Sequence, residues 1–201
     1  NGRNFPWRRK SAGLYEKIIS EVLLQRTRAE TVASFLPKFI TQFPSWKNLS
    51  RTTEKEIQKH IQPVGLWRRR ANSLKKLSHE MVSRKGRFPC SREEIEALPG
   101  VGQYIANSIE LFCYGKPLPL LDSNMSRVLE RYFGPRKLAD IRYDPYLQSL
   151  SKKVVKCKDP VSLNWAILDL AHIVCTQKKP QHDICPLKNR CQFINLYFWF
   201  F

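Results

Sequence analysis

Helical periodicity is the feature of this sequence that most constrains its fold. Apolar residues recur at the spacing of an α-helix along nearly the whole chain, and proline or glycine separates successive segments. No stretch alternates apolar and polar residues as a half-buried strand would. The expected helical segments begin near residue 13 and then span residues 29–42, 53–60, 67–84, 91–97, 103–114, 123–133, 145–156 and 160–174. The sequence therefore predicts an all-α protein with short connections.

Basic side chains greatly outnumber acidic ones. Lys and Arg total 35 against 17 acids, a formal net charge of +18 in a chain of 201 residues. Hydrophobic residues make up 42%, which is enough for a buried core, so this surplus favours a polyanionic partner. Nucleic acid is the first candidate, and a membrane surface is a poor second. With no signal peptide and no long apolar run, we expect an intracellular protein, cytoplasmic and nucleoid-associated in a prokaryote, with no membrane partner.

A glycine-containing turn joins two of the predicted helices. Its sequence, Leu98-Pro99-Gly100-Val101-Gly102, ends where the next helix begins, at Gln103 or Tyr104. Glycines beside a helix N-terminus let the backbone approach a phosphate, which N–H groups and the helix dipole then bind. A plain interhelical turn is the alternative for this stretch alone, but the charge of the chain favours DNA. The predicted phosphate contacts are Gly100, Val101 and Gly102.

One aspartate follows an apolar run shortly after this turn. Asp122 comes after Leu120 and Leu121 and stands just before a predicted helix, so one interpretation is an N-cap. A second and compatible interpretation is chemical. Cleavage of a nucleotide's N-glycosidic bond builds positive charge on the sugar, and a preplaced carboxylate stabilises that charge.

The order of helix, Leu-Pro-Gly-Val-Gly hairpin, helix and aspartate resembles the helix-hairpin-helix DNA glycosylases. This superfamily includes endonuclease III, the MutY-type adenine glycosylases and the thymine–guanine mismatch glycosylases called MIG. The resemblance runs from Phe5-Pro6-Trp7-Arg8 through the segment 20–27 to the C-terminal cysteines. It implies that the protein flips a mismatched or damaged base out of double-stranded DNA and cuts its N-glycosidic bond, with Asp122 as the catalytic aspartate.

The same resemblance implies a two-lobed architecture. A six-helix, barrel-like lobe containing the hairpin is expected at residues 12–121. Residues 1–11 with 122–201 are expected to form a second helical lobe that carries a metal loop. The implied arrangement places DNA across the cleft between the lobes, bound by a monomer. A noncatalytic DNA-binding module with the same hairpin is the alternative from another class, although phosphate binding needs no carboxylate at Asp122.

Two further side chains are candidates for the catalytic pocket. Bifunctional members carry a lysine two residues after the second hairpin glycine, where this chain has Tyr104. A phenol cannot form the imine of a lyase, so we predict a monofunctional enzyme in which water attacks the sugar. The resemblance aligns Glu21 with the active-site glutamate of MutY and MIG, which protonates a leaving adenine or contacts a flipped pyrimidine. Without it, Glu21 is typical of a solvated surface charge and Tyr104 of an ordinary helix aromatic.

Two loops are candidates for insertion into the duplex, because flipping needs a side chain to fill the vacated stack. They are Gln25-Arg26-Thr27 and Gly65-Leu66-Trp67. The run Arg68-Arg69-Arg70, with Lys75 and Lys76, suits phosphates or is a solvated basic face. The DNA contacts predicted outside the hairpin are Gln25, Arg26, Leu66, Trp67, Arg68 and Asn124, the last near the sugar or water at Asp122.

The base removed is not decided by these motifs. The short chain, Arg26 and a Gly65-Leu66 pair without the double tyrosine of MutY favour thymine or uracil opposite guanine. The stretches 164–175 and 185–187 are instead typical of MutY, so adenine opposite guanine or 8-oxoguanine is the alternative.

The C-terminal cysteines have the spacing of a metal site. Cys175, His182, Cys185 and Cys191 follow the pattern of the family's iron–sulfur loop, except that His182 stands where the second cysteine is expected. Imidazole can replace thiolate as a ligand in some iron–sulfur centres. The spacing favours a [4Fe-4S] cluster with a histidine ligand, with a zinc ion or a lost site as alternatives.

Overall fold

The computed structural model describes residues 2–197 as helices joined by loops. No β-strand occurs in that range, which confirms the predicted all-α class. The expected segments begin and end within two residues of observed helices. Among the α-helices of the described residues, the short helices α3 and α11 were not expected. The helices are α1 (Leu14–Leu24), α2 (Ala29–Gln42), α3 (Trp46–Arg51), α4 (Glu54–Ile61), α5 (Trp67–Ser83), α6 (Arg92–Glu96), α7 (Gln103–Tyr114), α8 (Ser123–Phe133), α9 (Pro145–Val154), α10 (Pro160–Ile173) and α11 (Gln192–Tyr197).

Two compact units divide the chain, and the first of them spans Asn4–Tyr114. Its core is built around α1, which packs against both α2 and α7. Ile18, Ile19 and Leu23 are fully buried on this helix. All of residues 18–23 are buried, so the C-terminal half of α1 is enclosed by the core on every side.

The N-terminal segment belongs to this first unit. The rings of Phe5 and Trp7 stack with their centroids 4.7 Å apart, and both side chains lie in the core around α1. The sequence-based division had placed residues 1–11 in the other lobe. Burial of these two aromatic side chains is the physical reason that the segment from residue 4 packs with the first unit.

The second unit contains the described residues that precede Asn4 and follow Tyr114. The loop before α8 is held within it, because the Leu120 amide donates to the buried Asn164 side chain at 2.7 Å. Residues 115–121 therefore lie here rather than in the first unit, where they were expected. Its core gathers apolar faces of α8, α9 and α10, including Met125, Leu147 and Ala171.

None of the helices within residues 2–197 is long and apolar enough to cross a membrane.

Candidate active site

The predicted hairpin forms in the first unit, with α6 and α7 as its two helices. Gly100 has a φ of +76°, and a Cβ added there would lie 2.8 Å from the Cβ of Ser73 on α5. Glycine is therefore required at this position by both conformation and space. A Cβ on Gly102 would meet no atom within 4 Å. Gly102 thus leaves open space at the N-terminus of α7, where a helix presents N–H groups to an anion.

An arginine that the sequence analysis missed braces this hairpin. Arg92 on α6 donates from Nη1 to Asn107 Oδ1 and to Glu110 Oε2 on α7, both at 2.7 Å. Its Nη2 also donates to the carbonyl of Gln103 at 3.3 Å. Glu110 is only 4% exposed, so its carboxylate is largely shielded from water. Burial of Glu110 depends on tertiary packing, so no local pattern indicated the brace.

Glu21 and Tyr104 come together inside the first unit, 83 positions apart in the sequence. The phenol of Tyr104, in the first turn of α7, donates to Glu21 Oε2 on α1 at 2.9 Å. The Glu21 residue is 2% exposed, so it is not the solvated charge that a bare helix would suggest. A buried carboxylate requires donors, and Tyr104 supplies one.

Asp122 lies in the second unit as the N-cap of α8. Its Oδ1 accepts from the amides of Asn124 at 2.9 Å and Met125 at 2.8 Å. Its Oδ2 accepts from the side-chain Nδ2 of Asn124 at 2.8 Å. The N-cap interpretation of the sequence is confirmed, and these three bonds fix the orientation of the carboxylate. The predicted neighbourhood of Asp122 and Asn124 is also present.

Both predicted insertion loops contain a residue in the left-handed conformation. Arg26 has a φ of 56° and Leu66 a φ of 60°, which few residues other than glycine adopt. Both are exposed, Leu66 to 55% of its surface. Trp67 is half-buried against the core of the first unit, and the Arg68 guanidinium lies 4.6 Å from its ring centroid. Two of the predicted DNA contacts, Arg26 and Leu66, are thus exposed residues with a constrained backbone conformation.

Two residues of the predicted basic face form hydrogen bonds within the first unit. Arg70 is 7% exposed and donates to oxygens at the end of α1. Lys75 donates to the carbonyls of Ser50 and Thr52 at the end of α3. The assignment of Arg70 and Lys75 to phosphates is therefore wrong, because both cations are used to cap helix C-termini within the unit.

The four predicted metal ligands line one pocket of the second unit. The Nε2 atom of His182 is buried there without a hydrogen-bond partner. Arg131 donates to Cys175 Sγ at 3.4 Å, and Cys191 Sγ donates to the Arg131 carbonyl at the same distance. Three thiols, an unpartnered imidazole nitrogen and a nearby cation fit a thiolate-ligated group.

The four candidate ligands are not gathered around a single point. Within residues 2–197, no three His, Cys, Asp or Glu side chains are placed to hold one ion. A four-iron cluster binds each protein ligand at a different iron, so its ligands need not converge on one point.

A family model described as HhH-GPD superfamily base excision DNA repair protein matches residues 19–156. The match includes Glu21, Tyr104 and Asp122. The chain belongs to the HhH-GPD superfamily. The resemblance found in the sequence is thereby confirmed.

Individual relatives narrow the comparison within the superfamily. The thymine/uracil-DNA glycosylase of Pyrobaculum aerophilum is 39% identical over 197 residues, which cover 95% of this chain and 85% of that protein. A solved structure of a thermostable thymine-DNA glycosylase matches with a TM-score of 0.87 at 31% identity, over 96% of this chain and 89% of that one. An adenine DNA glycosylase of Buchnera aphidicola subsp. Schizaphis graminum is 29% identical, over 95% of this chain and 55% of that protein.

Proposed function

We propose that this protein is a monofunctional DNA glycosylase that removes thymine or uracil opposite guanine. Membership in a family of base excision DNA repair proteins gives the reaction class and makes DNA the substrate. The observation that carries the monofunctional assignment is the phenol of Tyr104, bonded to the buried Glu21 where a bifunctional enzyme would carry its lysine. The names of the similar proteins support the choice of thymine or uracil.

Asp122 is the proposed electrostatic partner of the sugar. As the N-glycosidic bond breaks, its electron pair leaves with the base and positive charge develops on C1′. A carboxylate already oriented by Asn124 and Met125 stabilises that charge without further reorganisation. The oxygen of a water molecule then bonds to C1′ and the water loses a proton, while the departed base gains one. The products are the free base and an abasic site.

Glu21 and Tyr104 are the proposed contacts of the flipped base. An ionised carboxylate accepts hydrogen bonds, and the N3–H group of thymine or uracil is a donor. Tyr104 holds the carboxylate in place through its 2.9 Å bond. A phenol has no amine with which to attack the sugar, so strand cleavage should require added alkali.

The hairpin is the proposed phosphate-binding element of a monomer that acts on duplex DNA inside the cell. Gly102→Ala tests it, because the added methyl meets no protein atom and so tests the approach of DNA alone. We expect an unchanged melting temperature and duplex binding weakened by about 5-fold. The matched Gly100→Ala change should instead lower the melting temperature, since its Cβ would collide with Ser73. Duplex binding equal to wild type in Gly102→Ala would remove the hairpin from the interface.

A [4Fe-4S] cluster is the proposed occupant of the cysteine loop, held by Cys175, His182, Cys185 and Cys191. When bound, it would crosslink the loop and supply structure rather than bond cleavage. Iron and sulfide analysis with visible absorption at about 400 nm tests this. His182→Cys should retain the iron, while His182→Ala should lose much of it. Zinc without sulfide, or a metal-free protein purified under strict exclusion of oxygen, would overturn the assignment.

Adenine is the second candidate base, since an adenine glycosylase is also among the similar proteins. If this protein removes adenine, Glu21 would donate a proton to the leaving purine rather than accept a hydrogen bond from a pyrimidine. A single-turnover panel separates the two, with thymine or uracil opposite guanine and adenine opposite guanine or 8-oxoguanine. Alkali-dependent cleavage of the pyrimidines supports the proposal, and cleavage of adenine alone overturns it. Scission without alkali would show lyase activity and contradict the role given to Tyr104.

A further inference from the structure

Arg70 joins the two loops that the sequence assigns to the duplex. Its side chain donates from Nη1 to the Leu23 carbonyl at 2.7 Å and to Thr27 Oγ1 at 2.9 Å. Its Nη2 also bonds the carbonyl of Gln25. These acceptors lie on both sides of Arg26, so one guanidinium spans the whole turn at the end of α1.

The backbone of Arg70 connects the same residue to the second loop. Its amide donates to the carbonyl of Leu66 at 3.0 Å and so closes the first turn of α5. Leu66 is the N-cap of that helix and holds a left-handed φ of 60°. Arg70 is therefore bonded through its side chain to the turn containing Arg26 and through its main chain to the turn containing Leu66.

The environment of this guanidinium is unusual for a basic surface. Arg70 is 7% exposed, whereas its neighbours Arg68 and Arg69 on α5 are exposed. Its side chain contacts carbonyl and hydroxyl oxygens, and burial lowers the pKa of the guanidinium. Burying a cation among dipoles is costly, and the negative end of the α1 dipole offsets only part of this cost. A planar fork of donors suits this set of acceptors, which a lysine ammonium could not bridge in the same geometry.

We infer that Arg70 is a positioning residue for base flipping, which fixes the Gln25–Thr27 turn to the start of α5 so that Arg26 and Leu66 enter the duplex as one preorganised pair. This inference rests on the proposed glycosylase function. Left-handed backbone at non-glycine residues persists only where its surroundings hold it. Ordering both tips before DNA binds removes an entropic cost from the flipping step.

A comparison of paired and unpaired targets tests the inference, because an unpaired base needs no wedge. We would measure single-turnover cleavage of uracil opposite guanine and of the same uracil in an unpaired loop. Arg70→Met should slow the paired substrate on the order of 100-fold and the unpaired one less than about 5-fold. Thr27→Val, which removes one acceptor and leaves Arg70 intact, should slow only the paired substrate, by about 5-fold.

Two controls separate positioning from charge and from stability. Arg69→Met removes an equal charge from the exposed face, so it should weaken binding of both substrates alike. Arg70→Lys should cleave the paired substrate nearly as slowly as Arg70→Met, because an ammonium group cannot bridge the acceptors on both sides of Arg26. An equal loss on both substrates with a lowered melting temperature would show that Arg70 is merely structural. Unchanged paired cleavage in Arg70→Met and Thr27→Val would also overturn the inference.

A fluorescence measurement keeps this test separate from the choice of base. 2-Aminopurine opposite an abasic site brightens when a wedge unstacks it, whichever base the enzyme removes. Wild-type protein that brightens the probe but cleaves neither thymine nor uracil would refute the proposed function and leave the positioning role intact. Equal brightening by wild type and Arg70→Met would refute the positioning role alone.

Discussion

The two carboxylates proposed for catalysis are held by opposite means. Asp122 caps its own helix, and the three donors to its oxygens come from residues no more than three positions along the chain. Glu21 lies inside α1, is 2% exposed, and receives its bond from Tyr104, 83 positions away. One carboxylate is oriented by local backbone geometry, and the other by the tertiary packing of a whole unit.

Because of this difference, we expect substitutions at the two sites to affect catalysis and stability differently. The donors that orient Asp122 belong to the first turn of α8, so another capping side chain at this position should leave the fold intact. Glu21 and Tyr104 tie α1 to α7, so changes at this pair affect both packing and the pocket. Substitutions at Asp122 should therefore alter catalysis with little change in stability, whereas those at the pair should alter both.

Asp122→Asn should produce the largest effect. The amide oxygen can still accept from the backbone of α8, so the cost in stability should stay below about 1 kcal/mol. The negative charge is lost, and we expect single-turnover cleavage to fall on the order of 1,000-fold. Binding of a mismatched duplex, measured by fluorescence anisotropy, should change by less than about 3-fold.

The same variant distinguishes an enzyme from a DNA-binding module. A module would have no cleavage to lose, so wild-type activity must be established first on the base panel. If Asp122→Asn retains most of the cleavage, the carboxylate serves the helix alone. Asp122 would then be a structural N-cap, and Glu21 would be the only one of the two carboxylates proposed for catalysis.

The sequence could predict the local features of the site but not the long-range ones. Asp122 as an N-cap and the bounds of α7 follow from spacing and capping within a few residues. Arg70 and Arg92 look like any exposed arginine in a chain of net charge +18. Their acceptors lie on other helices, so only tertiary packing reveals them.

The position of Glu21 could not be predicted from its local sequence either. Its sequence context allowed either a solvated charge or a buried pocket residue, and only the family resemblance favoured the second. Burial depends on how α1 packs against α7, which periodicity does not specify for a lone charged residue. The N-terminal aromatics were misplaced for the same reason, since Phe5 and Trp7 find their core through the tertiary fold.

Glu21→Gln should be the next largest effect. The amide can still accept from Tyr104, so the tie between α1 and α7 is retained while the charge is removed. We expect cleavage to fall about 100-fold, because the group that contacts the base no longer presents a carboxylate. Glu16→Gln removes an equal charge from a more exposed position on the same helix and should leave cleavage within about 2-fold of wild type. A similar loss in both variants would assign the effect to net charge.

Tyr104→Phe is the complementary variant, because it keeps the carboxylate of Glu21 and removes the phenol that donates to it. We expect cleavage to fall about 10-fold and the free energy of unfolding to fall by about 1–2 kcal/mol, measured by denaturant titration. If the pair acts as one unit, the double variant with Glu21→Gln should be no slower than Glu21→Gln alone. Strictly additive losses would mean that the phenol and the carboxylate act separately.

Asn124→Ala should give the smallest effect and is the sharpest test of local orientation. It removes the side-chain donor to Asp122 Oδ2, while the backbone amides of residues 124 and 125 still bond Oδ1. Because two of the three bonds remain, we expect cleavage to fall only about 3-fold, with the melting temperature unchanged. Asn124→Asp places a second carboxylate beside the first and should be slower than the alanine variant if orientation and charge both matter. A loss in Asn124→Ala as large as that in Asp122→Asn would mean that the backbone cap does not orient the carboxylate. In that case both carboxylates would depend on a side-chain donor, and the contrast between them would disappear.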